Sequence, residues 1–194
     1  MAPTAIAADP PALSAIQKTI NASIPALKES QHGPHLHHLA AMVLHNLQYQ
    51  HEWTSLRIHT HSSSNHLLPR PIVSGLPPRR AYIHPEEQAE ILKAEHDTGK
   101  PITQEAEQEW VLPTHWDEKW SLKRFAELFD AIEVMPPTEG LGGDDEEEEE
   151  ETLTVGYKWR GKNRQKRVLL STVHDDSTVV YYIMHDGLAK PRQN

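Results

Sequence analysis

Apolar and polar positions divide this chain into stretches of two periods. Leu36, Leu39, Met42, Val43 and Leu47 recur at helical spacing. They predict a helix over 35–50, with Pro34 where a first-turn proline is tolerated. Leu122, Phe125, Leu128, Phe129 and Ile132 form a second stripe. It predicts a helix over 121–132 that Ser121 caps and Pro136-Pro137 stops. Residues 167–173 and 177–184 are rich in Val, Leu, Ile, Thr and Tyr, and predict two adjacent strands joined at His174-Asp175-Asp176. Along the second of these, Val179, Tyr181 and Ile183 point one way and Val180, Tyr182 and Met184 the other. Both sets are apolar, and a strand apolar on both faces is normally covered on both.

The remaining stretches carry weaker patterns. Ile16, Ile20 and Ile24 suggest a short helix from Leu13 to near Pro25. Leu56 and Ile58 alternate with polar residues and predict a strand over 53–61, followed by a polar loop over 61–67. Residues 71–75 and 80–83 read as short edge or connecting strands around Gly75, Pro77 and Pro78. Pro85 opens a helix with Glu86 and Glu87 in its first turn, where the helix dipole favours acids. A polar linker over 97–108 leads to a brief strand at 110–112. Residues 153–159 predict another strand and 161–165 a basic turn. The fold class is therefore α/β, a small mixed sheet packed against about three helices on one face. Helices so few and short leave the second face of the C-terminal strands for an outside subunit.

Composition limits how much of the chain packs. At 37% hydrophobic residues, with mean hydropathy −0.64 and 15 prolines, the 194 residues support a modest core with flexible segments. We expect a flexible N-terminal extension over 1–33 and one domain over 34–194, interrupted by an acidic linker over 138–152. The absence of cysteine excludes disulfides and thiolate chemistry. No apolar run reaches the ~20 residues of a membrane span, and the N-terminus lacks the pattern of a secretory signal. His35, His37 and His38 cluster, and His59 and His61 share a strand face. Without cysteines or nearby acids they read as polar residues, so neither a metal nor a cofactor is expected.

Charge is local rather than general. The net charge of −9 comes mainly from eight consecutive acids, Asp144 to Glu151; removing these from the 28 leaves 20 acids against 19 Lys and Arg. Beside that run, Lys158, Arg160, Lys162, Arg164, Lys166 and Arg167 crowd into ten residues. They are candidate RNA phosphate contacts, and equally a solvated hairpin tip or a partner for the acidic run.

Several stretches together resemble the small non-catalytic subunit of the eukaryotic tRNA-splicing endonuclease in its fungal form. They are WTSLRIHTH at 53–61, LPRPIVSGLPPRRAYIHPEEQAEIL at 68–92, EWVLPTHWDEKWSLKRFAELFDAI at 109–132, and the ending RVLLSTVHDDSTVVYYIMHDGLAKPRQN. Asp-Ser-Thr-Val-Val-Tyr-Tyr followed by Asp-Gly is the most specific part. The resemblance covers about residues 35–194 and implies the C-terminal α/β fold of tRNA-intron endonucleases. It implies work within a heterotetramer of two catalytic and two structural subunits that removes introns from precursor tRNA. Pairing with a catalytic subunit would run through the C-terminal strands, with Val179, Val180, Tyr181, Tyr182, Ile183 and Met184 at the interface. Asp175 and Asp176 match by position an acidic loop that enters a basic cleft of another pair, and they equally suit a plain turn. A nuclear location follows, with the cytoplasmic face of mitochondria as the alternative, and a homodimer through the same strands is open for the isolated chain.

The same resemblance implies catalytic silence. The family's catalytic subunits use a Tyr, a His and a Lys. Lys166 stands where that lysine would, but no matching Tyr or His motif precedes it. Attack by a ribose 2′-hydroxyl needs a base, an acid and a cationic stabiliser together, which one lysine cannot supply. An autonomous RNA-cleaving enzyme using Lys166, and a simple RNA-binding module using 158–167, are the rival readings.

Overall fold

The computed structural model describes residues 31–137 and 155–187, together with Lys18. The helix expected from Leu13 and the acidic linker lie outside the described residues. Five strands form one sheet in chain order: β1 (Thr54–His61), β2 (Leu67–Leu76), β3 (Glu109–His115), β4 (Arg167–Val173) and β5 (Val179–His185). All neighbours pair antiparallel except β3 and β4, which run parallel, so the sheet is mixed as expected.

Helices occupy both faces, which corrects the expectation of helices on one. Helix α1 (Pro34–Gln50) buries Leu39, Ala40, Val43 and Leu47 against Trp53, Val73, Val111, Leu169 and Val173. Helix α3 (Leu122–Ala131) is capped by Ser121, whose side chain accepts from the Arg124 N–H. Its Leu128 and Phe129, with Ile132 just beyond it, pack on Leu68, Ile72, Trp110, Leu112 and Val168. The apolar run of β4 is thus split by strand alternation between two cores. Leu169 and Val173 face α1, and Val168 faces α3. No outside subunit is needed to cover the middle of the sheet.

Helix α2 (Pro85–Thr98) is held differently. Among its residues only Glu87 and Ile91 are buried. His84 caps it, accepting from the Glu86 N–H, while the Glu87 carboxylate reaches back to the His84 N–H. Gly99 ends it in the left-handed conformation (φ 66°).

Three further expectations are corrected. Residues 71–75 belong to one ten-residue strand, β2, rather than to an edge piece. Its Pro69 and Pro71 precede the short stretch paired with β3, Val73 to Gly75, and lie beside an irregularity in the β1 pairing. Their missing N–H groups therefore cost no regular ladder bond. Residues 80–83 form no strand. Within the predicted strand at 153–159, the described residues form a turn and a 3-10 helix, Tyr157–Trp159. Gly156 breaks the extension at φ 84°, and a Cβ there would lie 2.8 Å from the Glu87 side chain.

Candidate subunit interface and basic face

The two sheet edges differ. The β1 edge is broken by register shifts at Thr54/Arg57 and His59/His61, and Ser55 takes a positive φ of 50°. Such irregularity obstructs further strand addition. The β5 edge is regular, with seven consecutive pairs from Arg167↔His185 to Val173↔Val179. Among the described residues β4 is its sole strand neighbour.

The side chains of β5 divide three ways. Val179 and Tyr181 pack beside the α1 core. The Tyr181 hydroxyl donates to Asn46 Oδ1 at 2.7 Å, and burial pushes the phenol pKa well up. Met184 packs beside the α3 core, so it is not a free interface side chain as the sequence suggested. Val180 is half-buried, while Tyr182 and Ile183 remain 59% and 37% exposed, one on each face.

The tip between β4 and β5 is a formed turn. The His174 N–H bonds Thr178 O, the Ser177 N–H bonds His174 O, and Ser177 takes φ 66°. Asp176 Oδ1 accepts from the Thr178 N–H, which holds its carboxyl below the usual range. Asp175 Oδ1 sits 3.2 Å from His115 Nε2. Trp116, 51% exposed, stacks parallel on His174 with centroids 6.4 Å apart. The two aspartates thus shape the turn and remain at the surface.

The basic segment does not present six equivalent cations. Arg164 and Arg167 are each 3% exposed and point inward onto Glu109, which is fully buried. Arg164 bonds Glu109 through two nitrogens at 3.1 Å each. Arg167 does so at 3.2 and 2.5 Å. Glu107 joins both at 3.0 and 3.2 Å. Arg160 bonds Glu87, which also forms a two-nitrogen pair with buried Arg80. Burial would raise the Glu107 pKa, but the Gly161 N–H, Arg164 and Arg80 outweigh it and hold the carboxyl below the usual range. Burial would lower the Arg167 pKa, but hydrogen bonds and charge from Glu109 and Glu107 raise it. The expectation of phosphate contacts fails for Arg164 and Arg167, because a guanidinium committed to a buried carboxylate is not free for an outside anion. Arg160 is partly exposed but likewise engaged. Lys158 and Lys162 alone are fully at the surface.

Lys166 has a structural partner. Its Nζ donates to the Phe129 carbonyl near the end of α3 at 2.8 Å. His185, the β5 histidine nearest in register, pairs across from Arg167 rather than Lys166 and touches Tyr82. Strand alternation places the Lys166 and His185 side chains on opposite faces. Among the described residues no group of three or more His, Asp or Glu is placed to hold a metal ion. No helix among them is long and apolar enough to cross a membrane.

The buried Arg–Glu cluster was not foreseen from sequence, although one signal was present. The cations that turn inward, at 160, 164 and 167, are all arginine, and the fully exposed pair at 158 and 162 is lysine. Arginine's fork suits bidentate buried pairing where lysine's point charge does not.

Residues 42–194 match the family model described as Sen15 protein. The chain is 49% identical over 160 residues to a probable tRNA-splicing endonuclease subunit, tsp-1, of Neurospora crassa. That alignment covers 82% of this chain and 67% of the Neurospora protein. The chain belongs to the Sen15 protein family.

Proposed function

We propose that this chain is a non-catalytic subunit of the tRNA-intron endonuclease. It adds the outer edge of β5 to a strand of a catalytic subunit and so supports that subunit during intron removal from precursor tRNA. The observation that carries this is the contrast between the two edges. β1 is bulged, whereas β5 is regular, has no strand on its outer side among the described residues and is flanked by exposed Tyr182 and Ile183. An open regular edge with exposed apolar side chains is a template for strand addition. The contact would use the β5 backbone with Val180, Tyr182 and Ile183, while Val179, Tyr181 and Met184 support the strand from within. Asp175 and Asp176 at the tip would meet a basic surface of a further subunit in a heterotetramer.

Catalysis is assigned to the partner. Lys166 is engaged by a main-chain carbonyl, and the β5 histidine, His185, lies on the other face of the sheet. Nucleus is the expected location, and the cytoplasmic face of mitochondria is the alternative that imaging of a tagged chain distinguishes. Co-expression with the catalytic subunit and assay on an intron-containing precursor tRNA tests the whole reading. The complex is expected to cleave and the purified chain alone to be inert. Cleavage by the chain alone, lost on Lys166→Ala, would overturn it in favour of an autonomous enzyme.

A further inference from the structure

The fold assembles a surface that no single stretch of sequence shows. Two 3-10 turns, Tyr157–Trp159 and Gly161–Asn163, follow one another, and the first reaches the N-terminus of α2. There the Trp159 ring stacks on His84, with centroids 5.5 Å apart and planes 10° from parallel. Tyr82 meets His185 edge-on at 4.8 Å, and the Arg167 guanidinium lies 5.3 Å from the Tyr82 ring centre. His185 Nδ1 is buried without a hydrogen-bond partner among the described residues. Burial, then Arg167 and His84, hold the His185 pKa below its usual value, which keeps the ring neutral near pH 7.

Beneath these rings the charges do not balance. Arg80, Arg160, Arg164 and Arg167 bring four guanidiniums, against the three carboxylates of Glu87, Glu107 and Glu109. One positive charge is left over, and exposed Lys158 and Lys162 add two more on the turns above. Exposed Glu86, in the first turn of α2, and Asp186, next to His185, are acids close in sequence to these rings.

We propose that this face binds a single-stranded segment of the RNA substrate. Lys158 and Lys162 would take phosphates, and an unstacked base would lie against the rings around His84 and Trp159. Cations interleaved with aromatic and imidazole rings are what an unpaired RNA strand engages. An acidic peptide would satisfy the cations but leave the rings unused, and a duplex would keep its bases from them. This inference rests on the proposed membership of a tRNA-splicing complex, and it adds a direct substrate contact to a subunit otherwise held through β5.

The test uses the assembled complex and, separately, the full chain. Binding of an intron-containing precursor tRNA is followed by fluorescence anisotropy between 50 and 200 mM salt, roughly the range over which phosphate contacts are lost. Lys158→Glu with Lys162→Glu is expected to weaken binding at least about tenfold. It should also flatten the slope of log affinity against log salt by about 1.4, near 0.7 for each phosphate lost from a single strand. His84→Asn keeps an acceptor for the α2 cap but deletes the ring, and should weaken binding several-fold without changing that slope. Unchanged affinity and slope in an intact complex would overturn the inference while leaving the β5 proposal standing. Loss of assembly rather than of RNA binding in the lysine variants would also overturn it, by showing that a protein subunit covers the face. The chain-alone measurement reads the site even where no complex forms, and there too an unchanged slope contradicts it.

Discussion

Glu109→Ala is the substitution whose effect the structure defines most sharply. The carboxylate has no exposure and receives four bonds from Arg164 and Arg167, at 3.1, 3.1, 3.2 and 2.5 Å. Its removal leaves two buried guanidiniums with only Glu107 and main-chain carbonyls between them. Losing one partner of a buried ion pair costs about 3–5 kcal/mol, and here two buried guanidiniums would share the single carboxylate of Glu107 with no water to replace the one removed. At roughly 2–4 °C per kcal/mol for a chain of this size, the melting midpoint should fall by roughly 6–20 °C. The surface pair Lys123–Glu127, 85% and 54% exposed, is the contrast. There Glu127→Gln should stay within about 0.5 kcal/mol. Thermal and urea unfolding followed by circular dichroism measure both. Replacing Glu109, Arg164 and Arg167 together, as Glu109→Leu with Arg164→Met and Arg167→Met, should recover more than half of the loss, since Glu107 keeps Arg80 and the Gly161 N–H and no buried charge is left without a partner. A Glu109→Ala loss below about 1 kcal/mol, or a triple variant worse than the single, would refute the reasoning.

Three other outcomes follow from particular contacts. Tyr181→Phe removes the bond to Asn46 that ties β5 to α1 and should cost about 1 kcal/mol, read by urea unfolding. Lys166→Met should lower stability by about 1 kcal/mol through the lost Phe129 contact while leaving cleavage by the assembled complex unchanged. Buried His37 has its pKa lowered from 6.5 by burial and then by His32. The unfolded chain therefore binds that proton more readily, so the contribution of neutral His37 is complete above pH 6.5 and is lost as pH falls through the lowered folded value. His37→Gln should flatten that part of a stability–pH profile measured from pH 7 to 5.

Much of the fold was legible because burial and period coincide. The stripes that became α1 and α3, and the Val-, Leu- and Tyr-rich runs that became β4 and β5, each have apolar residues at the spacing of the structure they form. The covering of both sheet faces was misjudged. The stripe on α3 gave its periodicity but not its side, and the parallel step from β3 to β4 sets that side. The strand expected over 153–159 rested on Tyr and Trp content, which Gly156 at positive φ overrides in the described part, 155–159. Of the candidate site, the open β5 edge was visible in composition. The packing of half-buried Met184 beside the α3 core was not, because strand alternation alone does not say how far α3 reaches. The Arg–Glu cluster was hidden because its acids lie at 87, 107 and 109, in segments that read as a helix start and a linker. The pairings made by Arg160, Arg164 and Arg167 span 55 to 73 residues and leave no local period.

The central claim is that the outer edge of β5 joins this subunit to its catalytic partner. Its most direct test is the mass and affinity of the complex formed with Tyr182→Glu and Ile183→Glu together, by light scattering after size exclusion and by calorimetry. Both side chains are exposed, so the isolated variant should keep its circular dichroism spectrum and melt within a few degrees of the parent. The account predicts that the complex falls apart, along with any concentration-dependent homodimer of the isolated chain. A folded variant that still binds the catalytic subunit with parental stoichiometry and affinity would contradict it.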